Sequence, residues 1–117
     1  MIINLTQHNA SLEQVRAGVI EPESKELVKE FLTFDSLPNQ EEILKRVSKL
    51  ATIAEMHGAH AAMIGGAPFL MSALERELKN RRITPVYAFS KRVVTERTTD
   101  GKTEKISVFR HLGFVEV

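Results

Sequence analysis

Three short segments of this chain carry residue types suited to phosphate chemistry. Thr6-Gln7-His8-Asn9 brings a hydroxyl, side-chain amides and an imidazole. Gly65-Gly66-Ala67-Pro68 leaves bare backbone ahead of a helix start, where amide N–H groups and the macrodipole favour an anion. Ser90-Lys91-Arg92 adds a hydroxyl and two cations. Together they suit a phosphate or phosphodiester, which is held by charge-assisted hydrogen bonds and backbone amides. His8 is a candidate general acid or base, the proton-transfer role an imidazole side chain most often takes. His8 and Lys91 are the candidate catalytic residues. Thr6, Gln7, Asn9, Gly65, Gly66, Ala67, Ser90 and Arg92 are the candidate ligand contacts.

Several other chemistries lack their signatures. Gly65-Gly66 runs into Ala67-Pro68-Phe69, so the G-x-G-x-x-G dinucleotide fingerprint is absent, as is the Walker A pattern. Ser90 lacks the G-x-S-x-G context of a nucleophile and is read as a hydrogen-bond donor. His57 and His60 flank Gly58 near an expected helix C-terminus, where a cation is favourable, and His111 falls on the return arm of an expected hairpin. No histidine pair has H-E-x-x-H spacing, and there is no cysteine for a thiolate nucleophile, a disulfide or a zinc–thiolate site. Neither a metal nor an organic cofactor is expected.

These segments need elements to position them. Ile2-Ile3-Asn4-Leu5 reads as a first strand. Ser11-Leu12-Glu13-Gln14 has capping-box spacing for a short helix that Gly18 stops. Pro22 can open a second helix with Leu27, Val28 and Phe31 on one face, and Leu32-Thr33-Phe34 reads as a second short strand. The longest periodic signal follows Pro38-Asn39: Ile43, Leu44, Val47, Leu50, Ala51 and Ala54, with Glu41 and Glu42 in the first turn and Gly58 as the stop. An apolar strand over 60–64 then meets the Gly-Gly break, and a helix runs from Pro68 to Asn80. Pro85–Phe89 and Val93–Arg97 are extended, and Asp100-Gly101 turns the chain back through Lys105–Phe109. Phe114–Val117 adds a last extended stretch.

Strands alternating with helices predict a small Rossmann-like, three-layer α/β domain spanning residues 1–117. Its sheet is expected to be mostly parallel, ending in a C-terminal antiparallel β-hairpin. In such sheets ligands sit outside the carboxyl ends of the strands. On that reading the loops after the first, third and fourth strands meet at one edge, bringing the three polar segments together.

Composition adds limits. With 43% hydrophobic and 26% charged residues in 117, the chain has the make-up of an ordinary globular domain. No apolar run approaches the roughly 20 residues of a membrane helix, and the start lacks signal-peptide character, so a cytoplasmic protein is expected. The net charge of +1 does not support duplex DNA as a partner, but it is unevenly spread. Residues 1–80 carry 8 Lys/Arg against 11 Asp/Glu, and residues 81–117 carry 8 against 4. A basic C-terminal third suits either a phosphate-bearing ligand or solvated strand faces.

The opening Ile2-Ile3-Asn4-Leu5-Thr6-Gln7-His8, followed by Ser11-Leu12-Glu13-Gln14, resembles that of small CRISPR-associated proteins with a single domain related to the CARF fold. The Gly65-Gly66-Ala67-Pro68 turn is compatible with their second ligand loop. These are the stand-alone ring nucleases of type III systems, which bind or cleave cyclic oligoadenylates, usually as homodimers. The chain also looks like small uncharacterised bacterial and prophage proteins. The ring-nuclease resemblance implies metal-independent ring opening by the substrate's own 2′-hydroxyl. His8 would act as acid or base, Lys91 and Arg92 would offset phosphate charge, and the Gly66 and Ala67 amides would cradle a phosphate. The alternatives are a non-catalytic nucleotide sensor or sequestering module, and an interaction protein that uses its hairpin.

Overall fold

A computed structural model describes residues 1–117. The elements in chain order are β1 (Ile2–Leu5), α1 (Leu12–Arg16), β2 (Val19–Ile20), α2 (Lys25–Leu32), α3 (Gln40–Met56), β3 (Ala61–Ile64), α4 (Pro68–Asn80), β4 (Thr84–Thr99) and β5 (Lys102–Glu116). They form a mixed α/β structure around one five-stranded sheet of order β2-β1-β3-β4-β5. β1 pairs in parallel with β2 and β3, and β3 with β4, while β4 and β5 are antiparallel. The mostly parallel sheet with a C-terminal antiparallel pair is as expected from the sequence.

Local chemistry sets most boundaries. Ser11 caps α1 through the expected reciprocal box with Gln14, whose N–H donates to Ser11 Oγ at 3.2 Å while Ser11 N–H donates to Gln14 Oε1 at 3.0 Å. Asn39 caps α3 by accepting from Glu42 N–H at 2.8 Å, and His57 caps its other end. Pro68 sits in the first turn of α4. Asp100 and Gly101 both have positive φ, 53° and 76°, between partners Thr99 and Lys102. That is the two-residue turn expected of an Asp-Gly pair.

The main core lies on one face of the sheet. Ile3, Leu5, Ala62 and Ile64 point into it and meet Val28 and Leu32 of α2, Val47, Leu50 and Ala54 of α3, and Leu70, Leu74 and Leu78 of α4. The other face holds a four-residue cluster, Val19, Ala61, Met63 and Val86, against which Ile2, Ala10 and Phe114 pack. On that side α1 buries no residue, so the helical cover of the sheet is concentrated on one face.

Two expectations are corrected here. Leu32-Thr33-Phe34 is not a strand: Leu32 ends α2, with its side chain in the core beside Val28, and Thr33 N–H continues the helical bonding to Glu30 O at 3.3 Å. Phe34 instead packs edge-on to Phe69 at 5.1 Å, with the Arg46 guanidinium 4.1 Å from its ring centroid. The second strand is Val19–Ile20, which follows Gly18 at φ 104° and carries too few residues to show a periodicity. The second correction concerns Ser90, Lys91 and Arg92, which occupy no strand-exit loop. β4 pairs with β3 only through Thr84, Pro85 and Val86, then continues with β5 alone as a two-stranded ribbon past a register shift at Phe89/Ser90. The extents of 59 × 32 × 24 Å reflect this projecting arm.

Candidate functional site

Chain order reverses between β1 and β3. From β1 the chain moves outward to β2, then returns across the sheet to β3 and on to β4. The loops leaving β1 and β3 therefore diverge and leave a crevice at their carboxyl ends. A cleft of about 1100 Å³ lies there, at the upper end of small-molecule sites at roughly 300–1,000 Å³. Thr6, Gln7, His8 and Asn9 line one side, and Gly65, Gly66 and Ala67 another. Two of the three expected segments thus meet.

The third does not. Ser90, Lys91 and Arg92 are exposed on the ribbon and do not line the cleft; Tyr87, Ala88 and Phe109 stand in that place. The physical reason is that β4 continues instead of ending, so these three residues are held in a ladder. Arg92 lies opposite Phe109, and Lys91 opposite Arg110. Side chains alternate along a strand, so Lys91 faces the other side of the ribbon from Phe109. Arg92 shares the Phe109 side, with its guanidinium carbon 5.5 Å from the centroid of that cleft-lining ring.

The first loop is built around Asn4. This residue is fully buried at the end of a strand that is otherwise apolar. Its Nδ2 donates to His8 O at 2.8 Å and to the Glu21 carboxylate. Its Oδ1 accepts Thr6 N–H at 3.0 Å and lies 2.7 Å from the Thr6 hydroxyl. Lys25 Nζ adds bonds to Thr6 O at 2.8 Å and His8 O at 2.9 Å, and sits 3.5 Å from Glu21. The His8 carbonyl is thereby fixed while its exposed imidazole forms no hydrogen bond within the chain and remains available to a ligand. Gln7 Nε2 reaches Thr33 Oγ1 at 3.3 Å and ties the loop to the end of α2.

Lys25 has its pKa lowered from 10.5, because desolvation outweighs the stabilising Glu21 charge. The unfolded chain therefore holds this proton more tightly than the folded one. Stability is expected to rise with pH between the lowered value and 10.5, as the folded protein releases the proton first. Urea midpoints measured from neutral pH up to that limit check this, and Lys25→Met should remove this component of the rise.

The second loop presents donors. The Gly66, Ala67 and Phe69 N–H groups bond to no protein acceptor, and α4 has no side-chain cap at Ala67. They are amides at a helix start with no internal partner, an arrangement that accepts an anion. Tyr87 closes the far wall, its hydroxyl donating to Glu75 Oε2 at 2.7 Å. Burial, then that carboxylate, push its pKa well upward, so it stays a neutral phenol.

Sequence reasoning passed over Glu21, Lys25, Tyr87 and Phe109 as site residues. One signal was available: an Asn inside Ile-Ile-Asn-Leu is a polar group headed for burial and must find partners. Nothing local says those partners are Glu21 and Lys25.

Fold and cleft define a mixed α/β protein with a ligand-sized, donor-rich cleft at the carboxyl edge of its sheet. The chain belongs to the uncharacterised protein MJ1673 family, whose family model matches residues 1–115. No curated protein and no solved structure matches it. No helix is long and apolar enough to cross a membrane, and no group of three or more His, Cys, Asp or Glu residues is placed to hold a metal ion.

Proposed function

We propose that this chain is a cytoplasmic, CARF-like nucleotide-binding protein with a Rossmann-like three-layer plan, acting as a metal-independent ring nuclease on cyclic oligoadenylate in CRISPR-related defence. The observation that carries the reading is the convergence of His8 with the free amides of Gly66 and Ala67 on one cleft where chain order reverses. Those amides would bind a phosphate oxygen and oppose charge that develops in the transition state. The ribose 2′-oxygen attacks the adjacent phosphorus, the new O–P bond forms as the bond to the 5′-oxygen breaks, and the products are a 2′,3′-cyclic phosphate and a 5′-hydroxyl. The proton leaves the 2′-hydroxyl and one is delivered to the 5′-oxygen. His8 would serve one of these transfers. Lys91, on the ribbon face away from Phe109, is outside the cleft lining, and Arg92, beside Phe109, would offset phosphate charge. A homodimer would set two such clefts around one symmetric ring.

A second reading has its own observation. Phe89, Val94, Phe109 and Leu112 are exposed on or near the ribbon, and a two-stranded ribbon is marginal alone in water. That favours an interaction protein whose ribbon pairs with another chain.

Incubation with labelled cyclic tetra- and hexa-adenylate separates these. The enzyme yields linear product, and His8→Ala should slow it by about 100-fold or more. Tight binding of an intact ring would leave the non-catalytic sensor. No binding of any cyclic or linear nucleotide would overturn both, and loss of assembly in Val94→Lys would then support the interaction protein.

A further inference from the structure

We infer that the root of the ribbon supplies a nucleobase platform to the cleft, with Phe109 as the stacking ring and Arg92 as its cationic backing. The inference rests on the reading of the cleft as a phosphodiester site and extends it from phosphate to base. Phe109 is 68% exposed yet lines the same cleft as the two phosphate-facing loops. A large aromatic ring held on a strand at the mouth of a cleft loses free energy to water unless something covers it. Arg92 covers one ring face, since the cross-strand register places both side chains on the same side of the ribbon. The ring still keeps most of its surface open.

The surroundings narrow the ligand. Ala88, on the cleft wall four residues before Arg92, takes up little room, and the Tyr87 ring is fixed through its bond to Glu75. A planar group can therefore lie against Phe109 while its sugar–phosphate runs back toward Gly66 and His8. Bases stack on aromatic side chains whatever their identity, and Arg adds an attraction for both the π-face and the phosphate. The cleft volume of about 1100 Å³, at the upper end of the range for small-molecule sites, leaves room for a base together with its sugar–phosphate.

The test uses the full chain with two probes of equal charge: linear tetra-adenylate and an abasic ribose-phosphate tetramer of the same length. Wild type is expected to bind the adenylate about fivefold or more tightly than the abasic strand. Phe109→Leu should erase most of that preference and leave abasic binding unchanged. Phe109→Trp should keep it, and the indole fluorescence should be quenched on adding adenylate. Equal wild-type affinity for both probes would overturn the platform and leave the phosphate cleft standing. A preference that survives Phe109→Leu would overturn it too, more so if that variant instead changed the oligomeric state. If wild type bound neither probe nor cyclic tetra- or hexa-adenylate, the phosphodiester reading would fall, and the platform with it.

Discussion

Asn4→Asp is expected to lower the free energy of unfolding by about 2–4 kcal/mol and to weaken nucleotide binding by more than tenfold. The substitution keeps the size and the acceptor oxygen that Thr6 uses. It removes the Nδ2 donor to His8 O and Glu21, and it sets a second carboxylate beside the first in a fully buried position. Lys25 is the only cation within the network, so the two acids share one counter-charge. Urea denaturation at neutral pH measures the loss. The companion Asn4→Asp/Glu21→Gln restores a donor opposite the new acid and should recover part of the stability. No recovery would mean that the network does not act through this donor, and that the loop is held by other means.

The two glycines of the second loop should respond very differently. Gly66 has φ 157°, and a Cβ there would stand 3.4 Å from Met71 Cε and 3.7 Å from Leu32 Cδ2. A Gly66→Val chain must adopt strained backbone against packed core side chains, at about 1–3 kcal/mol. It must also turn the Gly66 and Ala67 amides away from the cleft, so affinity for linear adenylate should fall by more than tenfold. At Gly65 the nearest atom to a Cβ is Thr6 Cγ2 at 3.6 Å, an ordinary contact, and φ is not in the left-handed range. Gly65→Ala should then leave stability within about 1 kcal/mol of wild type or raise it slightly. Thermal unfolding and adenylate titration of the two variants, side by side, decide the point. Equal behaviour would place the conformational demand elsewhere in the turn.

The contrast shows what a local pattern does and does not carry. Ser11 with Gln14, Asn39, Pro68 and Asp100-Gly101 each announce themselves, because a cap or turn is a matter of three or four neighbouring residues. The α3 and α4 faces were legible for the same reason, since periodicity over 13–17 residues records one buried side. Leu32 at the end of α2 was misread because an apolar pair around a Thr fits a short strand as well as the end of a helix. Val19–Ile20 was missed because two residues show no period; their pairing with Ile2 and Ile3 is what makes them a strand.

The sequence by itself determined the order of elements apart from the second strand, the parallel start and antiparallel end of the sheet, and two walls of the cleft. Those features follow from caps, turns and hydrophobic periods, whose energies act within a few residues along the chain. Tertiary structure alone decided the rest. It kept β4 in a ladder past Phe89, which withdrew Ser90 and Lys91 from the cleft and put Phe109 at its mouth. It also brought Glu21 and Lys25 to Asn4, fixing the carbonyl that steers His8. Strand length and buried hydrogen bonds are settled by partners 17 to 19 residues away or across the sheet, and no local signal names a partner at that distance.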